Sequence, residues 1–228
     1  MKKPWMILFG FLWAFSATIH AEGELLKNGG FEIQDSPKLP SDWVMETYQP
    51  GAQYQITAAK AYQGKFAIQI SCPTDNDARM VQTVAVKPNT YYRFSGYIAT
   101  ENVSKPAANL CIMVDFNHSQ PLMQGTSDWT YRELNFHTDS NQTEVKLAVR
   151  LGMWGTTASG IALFDGLSLE ELSSAPATFY ELKEPNVITQ TKVGGNKSKL
   201  PLWLVPLALS VVIIILGYEI KTHRKLRQ

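Results

Sequence analysis

The chain of 228 residues has little cysteine: Cys72 and Cys111 only, leaving room for one disulfide at most, and neither residue stands at a metal-ligand spacing. It also lacks an excess of charge. With 21 Lys and Arg against 20 Asp and Glu, the net +1 falls short of the basic face that a nucleic-acid partner requires. Catalytic signatures are missing as well. No G-x-S-x-G, H-E-x-x-H or phosphate-loop motif occurs, and His118 and His137 are far apart. A carboxylate pair such as Asp115 and Glu133 could mimic a glycosidase, but any domain with this many acids offers one. The middle of the chain has neither a convincing helical stripe nor an internal repeat. The expectation is a protein that is not an enzyme.

Long hydrophobic runs occur only at the two ends. Lys2 and Lys3 precede the apolar stretch Trp5 to Ala17, and the small Ala21 stands before Glu22, which is the layout of a secretory signal peptide over residues 1–21. No cysteine follows it, so lipoprotein processing is not expected. Residues 200–218 are uncharged and about 28 Å long at the helical rise, close to the hydrocarbon thickness of a bilayer. Trp203 and Tyr218 sit at interfacial positions, and Lys221, Arg224, Lys225 and Arg227 follow in a basic tail, 219–228, expected to be cytoplasmic. No LPxTG sorting motif is present. The expectation is a single-pass membrane protein at the cell membrane, its N-terminal domain extracytoplasmic (periplasmic or on the cell surface). That domain spans residues 22–172, and a Pro- and Gly-bearing linker, 173–199, joins it to the span.

Within the domain, side chains alternate with period two in segment after segment. Examples are Phe66, Ile68 and Ile70; Tyr92, Phe94 and Ile98; Leu110, Ile112, Val114 and Phe116; and Val145, Leu147, Val149 and Leu151. Turn residues such as Lys87-Pro-Asn89 separate the runs. About eight half-buried strands imply an all-β fold, a jelly-roll β-sandwich.

Four segments carry a family likeness. Leu25-Leu-Lys-Asn-Gly-Gly-Phe-Glu32, Ala61-Tyr-Gln-Gly-Lys-Phe-Ala-Ile68, the paired runs Arg79 to Phe94, and Phe164-Asp-Gly-Leu-Ser-Leu169 occur in order. Together they resemble the jelly-roll carbohydrate-binding modules appended to bacterial xylanases and cellulases, of the galactose-binding-domain-like type. The resemblance covers about residues 24–171. It implies a structural Ca²⁺ held by the side chains of Glu32 and Asp165, with carbonyls near Gly30 and Lys65, where hard oxygen donors from both chain ends meet. Gly166 departs from the family's usual second acidic residue.

The resemblance also implies one sheet built from the strands near Phe66, Val145, Tyr92 and Leu110, in that order. Alternation then points Gln69, Ser95, Tyr97, Met113, Asp115, Lys146 and Arg150 outward. Tyr97 offers a stacking surface for sugar C–H faces, and Gln69, Asp115 and Arg150 offer hydrogen bonds to hydroxyls. Loop residues Trp43, Tyr48 and Trp154, with Arg79, would complete the ligand-binding groove, while Trp129 resembles a packing tryptophan. On this strand order Cys72 and Cys111 lie too far apart to pair. The expected partner is a polysaccharide or oligosaccharide held near the membrane. The alternative is a scaffold or accessory subunit that binds an envelope protein with the same fold.

Overall fold

A computed structural model describes residues 24–183 apart from Lys38 and Asp115. The expected signal peptide, transmembrane span and tail, and the linker beyond residue 183, lie outside the described residues. Among the described residues no helix is long and apolar enough to cross a membrane. The described part is all-β. In chain order the strands are β1 (Gln34–Ser36), β2 (Leu39–Pro40), β3 (Val44–Thr47), β4 (Gln53–Thr57), β5 (Ala67–Asn76), β6 (Ala78–Ala85), β7 (Tyr91–Ile112), β8 (Asn117–His118), β9 (Met123–His137), β10 (Glu144–Leu151), β11 (Ala158–Leu172) and β12 (Tyr180–Glu181).

The longest strand organises the sandwich. The first half of β7 pairs antiparallel with β11 on one side and β9 on the other, whereas its last residues, Ala108–Ile112, pair with β10. The ribbon therefore leaves one layer and enters the second. The larger layer runs β4-β5-β11-β7-β9, with β12 parallel to the β9 edge; the smaller runs β3-β6-β10-β7, with β8 beyond. The chain changes layer again at Asp77, the single residue between β5 and β6.

This topology corrects the expected strand order. The strand carrying Val145 and the end of β7 carrying Leu110 share the smaller layer, while β5 and the Tyr92 half of β7 belong to the larger. The alternation itself holds. Ile68, Tyr92, Phe94, Leu110, Ile112, Val145 and Leu147 are buried in one core cluster fed by both layers, with Phe66 partly buried against it. Burying each such large apolar side chain stabilises the fold by roughly 1.5–3 kcal/mol.

The N-terminal segment docks on the last long strand. Leu25 N–H donates to Leu169 O, and Leu167 N–H donates to Gly29 O. A Cβ on Gly29 would run into Leu167 O, so the approach of the two backbones demands glycine there. Phe31 and Trp43 then close that end of the core, their ring centroids 5.4 Å apart. Trp43 is 3% exposed and its Nε1–H donates to Asn28 O, so it is a core residue and not a groove aromatic.

The packed unit continues past residue 172, where a linker was expected. β12 pairs with β9, Phe179 meets Tyr91 and His137 edge-on, His137 pairs with Glu181 at 2.9 Å, and Leu182 is buried. Both cysteines are free and buried. Their separation has a different cause from the one expected: Cys72 joins the core from the larger layer, and Cys111 lies on the outer face of the smaller. Burial pushes the Cys72 thiol up to about 11.

Candidate functional site

The outer face of the smaller layer can be built row by row from its register. One row runs Glu46, Arg79, Arg150, Asn109; the next runs Val44, Val81, Ala148, Cys111; the third has Thr83 and Lys146. Their neighbours Met80, Leu147, Val149, Leu110 and Ile112 face the core, so period two puts these rows on the other side. The middle row is apolar and small. Val81, Cys111 and Ala148 form a separate buried cluster with Met113 packed on it.

Charged side chains lie over and beside this floor. Lys146 bonds to Glu46 across the intervening strand, the one that carries Val81. Arg79 Nε donates to Glu46 Oε2 at 2.9 Å, and Arg79 Nη1 reaches Asp77 Oδ2 at 3.3 Å. Arg150, 1% exposed, donates through Nε to Asp77 Oδ1 at 2.7 Å and through Nη2 to Asp77 Oδ2. This two-pronged pair is the geometry by which a guanidinium and a carboxylate fix one another. Burial alone would raise the Glu46 carboxyl, but the hydrogen bonds of Lys146 and Arg79 prevail and hold it below the usual carboxylate range. Burial likewise pushes the Cys111 thiol up, against the pull of nearby Arg150, leaving it neutral. Beside Arg150, Asn109 is buried, its Nδ2 donating to Ala107 O at 2.7 Å and its Oδ1 without a hydrogen-bond partner among the described residues.

Aromatic rings rim the same face. Trp154 is 77% exposed and stacks on Phe116, with centroids 6.2 Å apart and planes 25° apart, and the Arg150 guanidinium lies 5.7 Å from the Phe116 centroid. Tyr48, also exposed, follows β3 and donates its N–H to Asp77 O. The loop bearing Trp154 rests on the same corner. Gly152 has φ +98, and a Cβ there would strike Asn76 O and Asp77 Cα. Tyr48 and Trp154 are thus both carried by loops fastened to Asp77. At the other end of the face a groove of about 760 Å³ runs between Val44, Val81, Thr83 and Lys146 toward Leu25 and Lys27, within the size range of ligand clefts.

The sequence-derived groove therefore divides between two faces. Arg79, Arg150, Tyr48 and Trp154 gather on the smaller layer, but Arg150 lies beneath Phe116 as a buried anchor and not as an open hydrogen-bond donor. Gln69 and Tyr97 face outward from the larger layer, on the opposite side of the molecule. Asp115 lies outside the described residues. Phe116, Asp77, Glu46 and Asn109 were not anticipated. Phe116 fell in the inward parity of Leu110 and Ile112, but the chain turns after β7 and Phe116 takes φ +53, which breaks the alternation.

Tyr97 is itself covered. Tyr62 stacks on it at 3.5 Å with planes 17° apart, and Tyr131 and Trp129 complete the group, Trp129 half-buried and edge-on to Tyr62. Glu32 and Asp165 hold the loop that carries Tyr62. Glu32 Oε1 accepts N–H bonds from Lys65 and Phe66, and Asp165 Oδ2 accepts them from Tyr62 and Gln63. Burial first, and then the neighbouring Glu32 charge, push the Asp165 carboxyl above its ordinary range in spite of its amide partners.

Three comparisons with known proteins bear on this geometry. The carbohydrate binding domain family matches residues 23–160. The tRNA nuclease WapA of Bacillus subtilis strain 168 is 27% identical over 179 residues, covering 70% of this chain, and a WapA described as tRNA(Glu)-specific, from Bacillus subtilis subsp. natto, is 28% identical over 179 residues. The chain spans only 7% of the length of these relatives. Among solved structures, TmCBM61 in complex with β-1,4-galactotriose has a TM-score of 0.48 at 19% identity, covering 65% of this chain and 99% of that one. The CBM22-1 xylan-binding domain of Paenibacillus barcinonensis Xyn10C has a TM-score of 0.44 at 20% identity, covering 64% and 94%. With its family profile matched across more than half its length, over a β-sandwich with one polar, aromatic-rimmed face, the chain belongs to the carbohydrate binding domain family.

Proposed function

We propose that this protein is a non-catalytic binder of a polysaccharide or oligosaccharide, tethered outside the cytoplasm by a C-terminal membrane span, with its glycan lying across the outer face of the smaller layer. The observation that carries the reading is the rim of Tyr48, Trp154 and Phe116 fastened around one buried corner. Rigid, exposed rings stack on the C–H faces of sugars, and flanking Lys146, Glu46 and Arg79 provide the planar and charged groups that bond hydroxyls. Glu46 and Asp77, the carboxylates nearest the rim, are both held in ion pairs with Lys146, Arg79 and Arg150, which suits a fixed binding surface. The nuclease activity named for the WapA relatives is not carried over, because the matched part is 7% of those proteins and the chain's net charge is +1.

In this reading Glu32 and Asp165 hold a structural Ca²⁺ that staples the first segment to the last long strand. What supports this is that both carboxylates flank Gly30, where a Cβ would lie 3.8 Å from Glu32 Cγ and 3.9 Å from Asp165 Oδ1. With no group of three acidic, His or Cys side chains among the described residues, backbone carbonyls would supply the other ligands. The ion would add cross-linking and no chemistry at the sugar.

The test is affinity electrophoresis of the full chain in detergent, through gels containing xylan, galactan or β-glucan. At least one polysaccharide should retard the wild type, and Trp154→Ala should lose about tenfold in affinity, the worth of one stacking contact. Unchanged mobility in every gel would overturn the reading.

A further inference from the structure

The larger layer carries a second aromatic surface on the far side of the core from the first, and we propose that it is an independent carbohydrate-stacking site centred on Tyr62. This goes beyond the site proposed above and depends on it only for the class of ligand. Tyr62 lies parallel on Tyr97 at 3.5 Å while remaining 43% exposed, so one ring face is occupied and much of the side chain stays open to solvent. Tyr131, 44% exposed, stands edge-on to Tyr97, and Trp129 stands edge-on to Tyr62.

The loop under Tyr62 is held far more firmly than an exposed tyrosine needs for its own sake. Four consecutive-pair backbone N–H groups, of Tyr62, Gln63, Lys65 and Phe66, end on the Asp165 and Glu32 carboxylates. Lys60, at the start of the loop, reaches Asp128 at 3.8 Å and Glu101 at 4.0 Å on neighbouring strands. A ring fixed in this way loses little conformational freedom when a ligand stacks on it, which is what preorganisation contributes to binding.

The surroundings select the occupant. Beside the rings are Lys60 with its two carboxylates, and Glu133, which accepts from Tyr131 Oη at 2.8 Å and pairs with Arg93 at 3.5 Å. Charges of both signs alternate, so neither an anionic lipid surface nor a peptide of one charge finds a complement. Tyr62 and Tyr131 are the exposed large apolar residues of this face, far less than the ~1,000 Å² of complementary surface that a stable protein interface needs. A flat ring one sugar wide, fringed by hydrogen-bonding groups, suits a neutral polyhydroxylated chain. Two such sites on opposite faces would let one domain hold two glycan strands, or one strand more tightly by avidity.

The experiment is a titration of the full chain in detergent, with ring-labelled tyrosine and tryptophan, by xylohexaose and by galactan oligosaccharides, followed by NMR. The Tyr62 and Trp154 signals should both move. Tyr62→Ala should abolish the movement at Tyr131 and leave that at Trp154, and Trp154→Ala should do the converse. Tyr62→Phe, which keeps the ring, should retain binding within about threefold, whereas Tyr62→Ala should lose roughly tenfold at this site. A Trp154 signal that titrates while Tyr62 stays still would overturn the proposal and leave the first site standing. Movement at Tyr62 with Trp154 silent would support it and remove the first site. Silence at both with every sugar, or Tyr62 signals that depend on protein concentration without sugar, would overturn it.

Discussion

Asp77→Asn isolates the charge that holds the rimmed face together. The substitution keeps side-chain volume and leaves the Asp77 carbonyl free to accept the Tyr48 N–H, so no cavity or backbone change confuses the result. It removes the counter-charge of Arg150, whose side chain is 1% exposed. The remaining neighbours of that guanidinium are the Cys111 sulfur at 3.8 Å and the Phe116 ring, neither of which replaces a carboxylate. Breaking a buried pair by removing one partner costs about 3–5 kcal/mol, because the other charge is left desolvated and uncompensated. For a domain of this size each kcal/mol lowers the melting midpoint by roughly 2–4 °C, so a fall of about 10 °C is expected. Arg150→Met should cost less, since Asp77 retains Arg79 at 3.3 Å. Adding Arg150→Met to Asp77→Asn should restore most of the loss by removing the stranded charge. Urea unfolding of the full chain, followed by tryptophan fluorescence and by calorimetry, measures all three variants. An Asp77→Asn variant within 1 kcal/mol of wild type, or a double variant no better than the single, would refute the argument.

Two further predictions concern the same face. Gly152→Ala introduces a Cβ at φ +98 against the Asn76 and Asp77 backbone, and should cost about 1–3 kcal/mol while displacing Trp154, visible as a shift of its fluorescence maximum. The Glu46 carboxyl sits below its ordinary range in the folded protein, so its contribution is present above the unfolded value, near 4.5, and is lost as pH falls through the lower folded value. Acid titration should therefore narrow the stability gap between wild type and Glu46→Gln, and a gap that is constant from pH 7 to pH 3 would count against the Lys146–Glu46–Arg79 network.

Much of the fold was legible because its cause is local. Period-two alternation is set by the pleat, and Ile68, Phe94, Leu110 and Leu147 are buried as that pattern requires. The opening Asn-Gly-Gly-Phe stretch was legible for a steric reason, since Gly29 meets the Leu167 carbonyl. Strand order was not, because alternation says which face a residue takes but not which sheet owns the face. Tyr97 and Arg150 both point outward, as read, yet β7 changes layer between them and the two end on opposite sides. The linker boundary was misplaced for a related reason: Leu182 is buried by a parallel pairing with β9, distant in sequence, which the Pro-containing composition of the segment does not announce.

What composition could least reveal is that the two aromatic surfaces hang on different charges. Tyr48 and the Trp154 loop rest on Asp77, where the chain crosses between layers, and Phe116 lies over the arginine that Asp77 holds. On that face, ligand geometry and the packing of a sandwich corner are one structure, so a change to the corner moves both. Tyr62 rests on Asp165 and Glu32, which tie the loop before β5 to β11 and to the N-terminal segment. The two sets share no described charged partner, and mutations more than about 7–10 Å apart without shared partners act additively. Loss of the Asp77 pair should therefore disturb Trp154 while leaving the Tyr62–Tyr97 stack intact, and it is this separability that makes two independent faces a physical arrangement and not one groove seen twice.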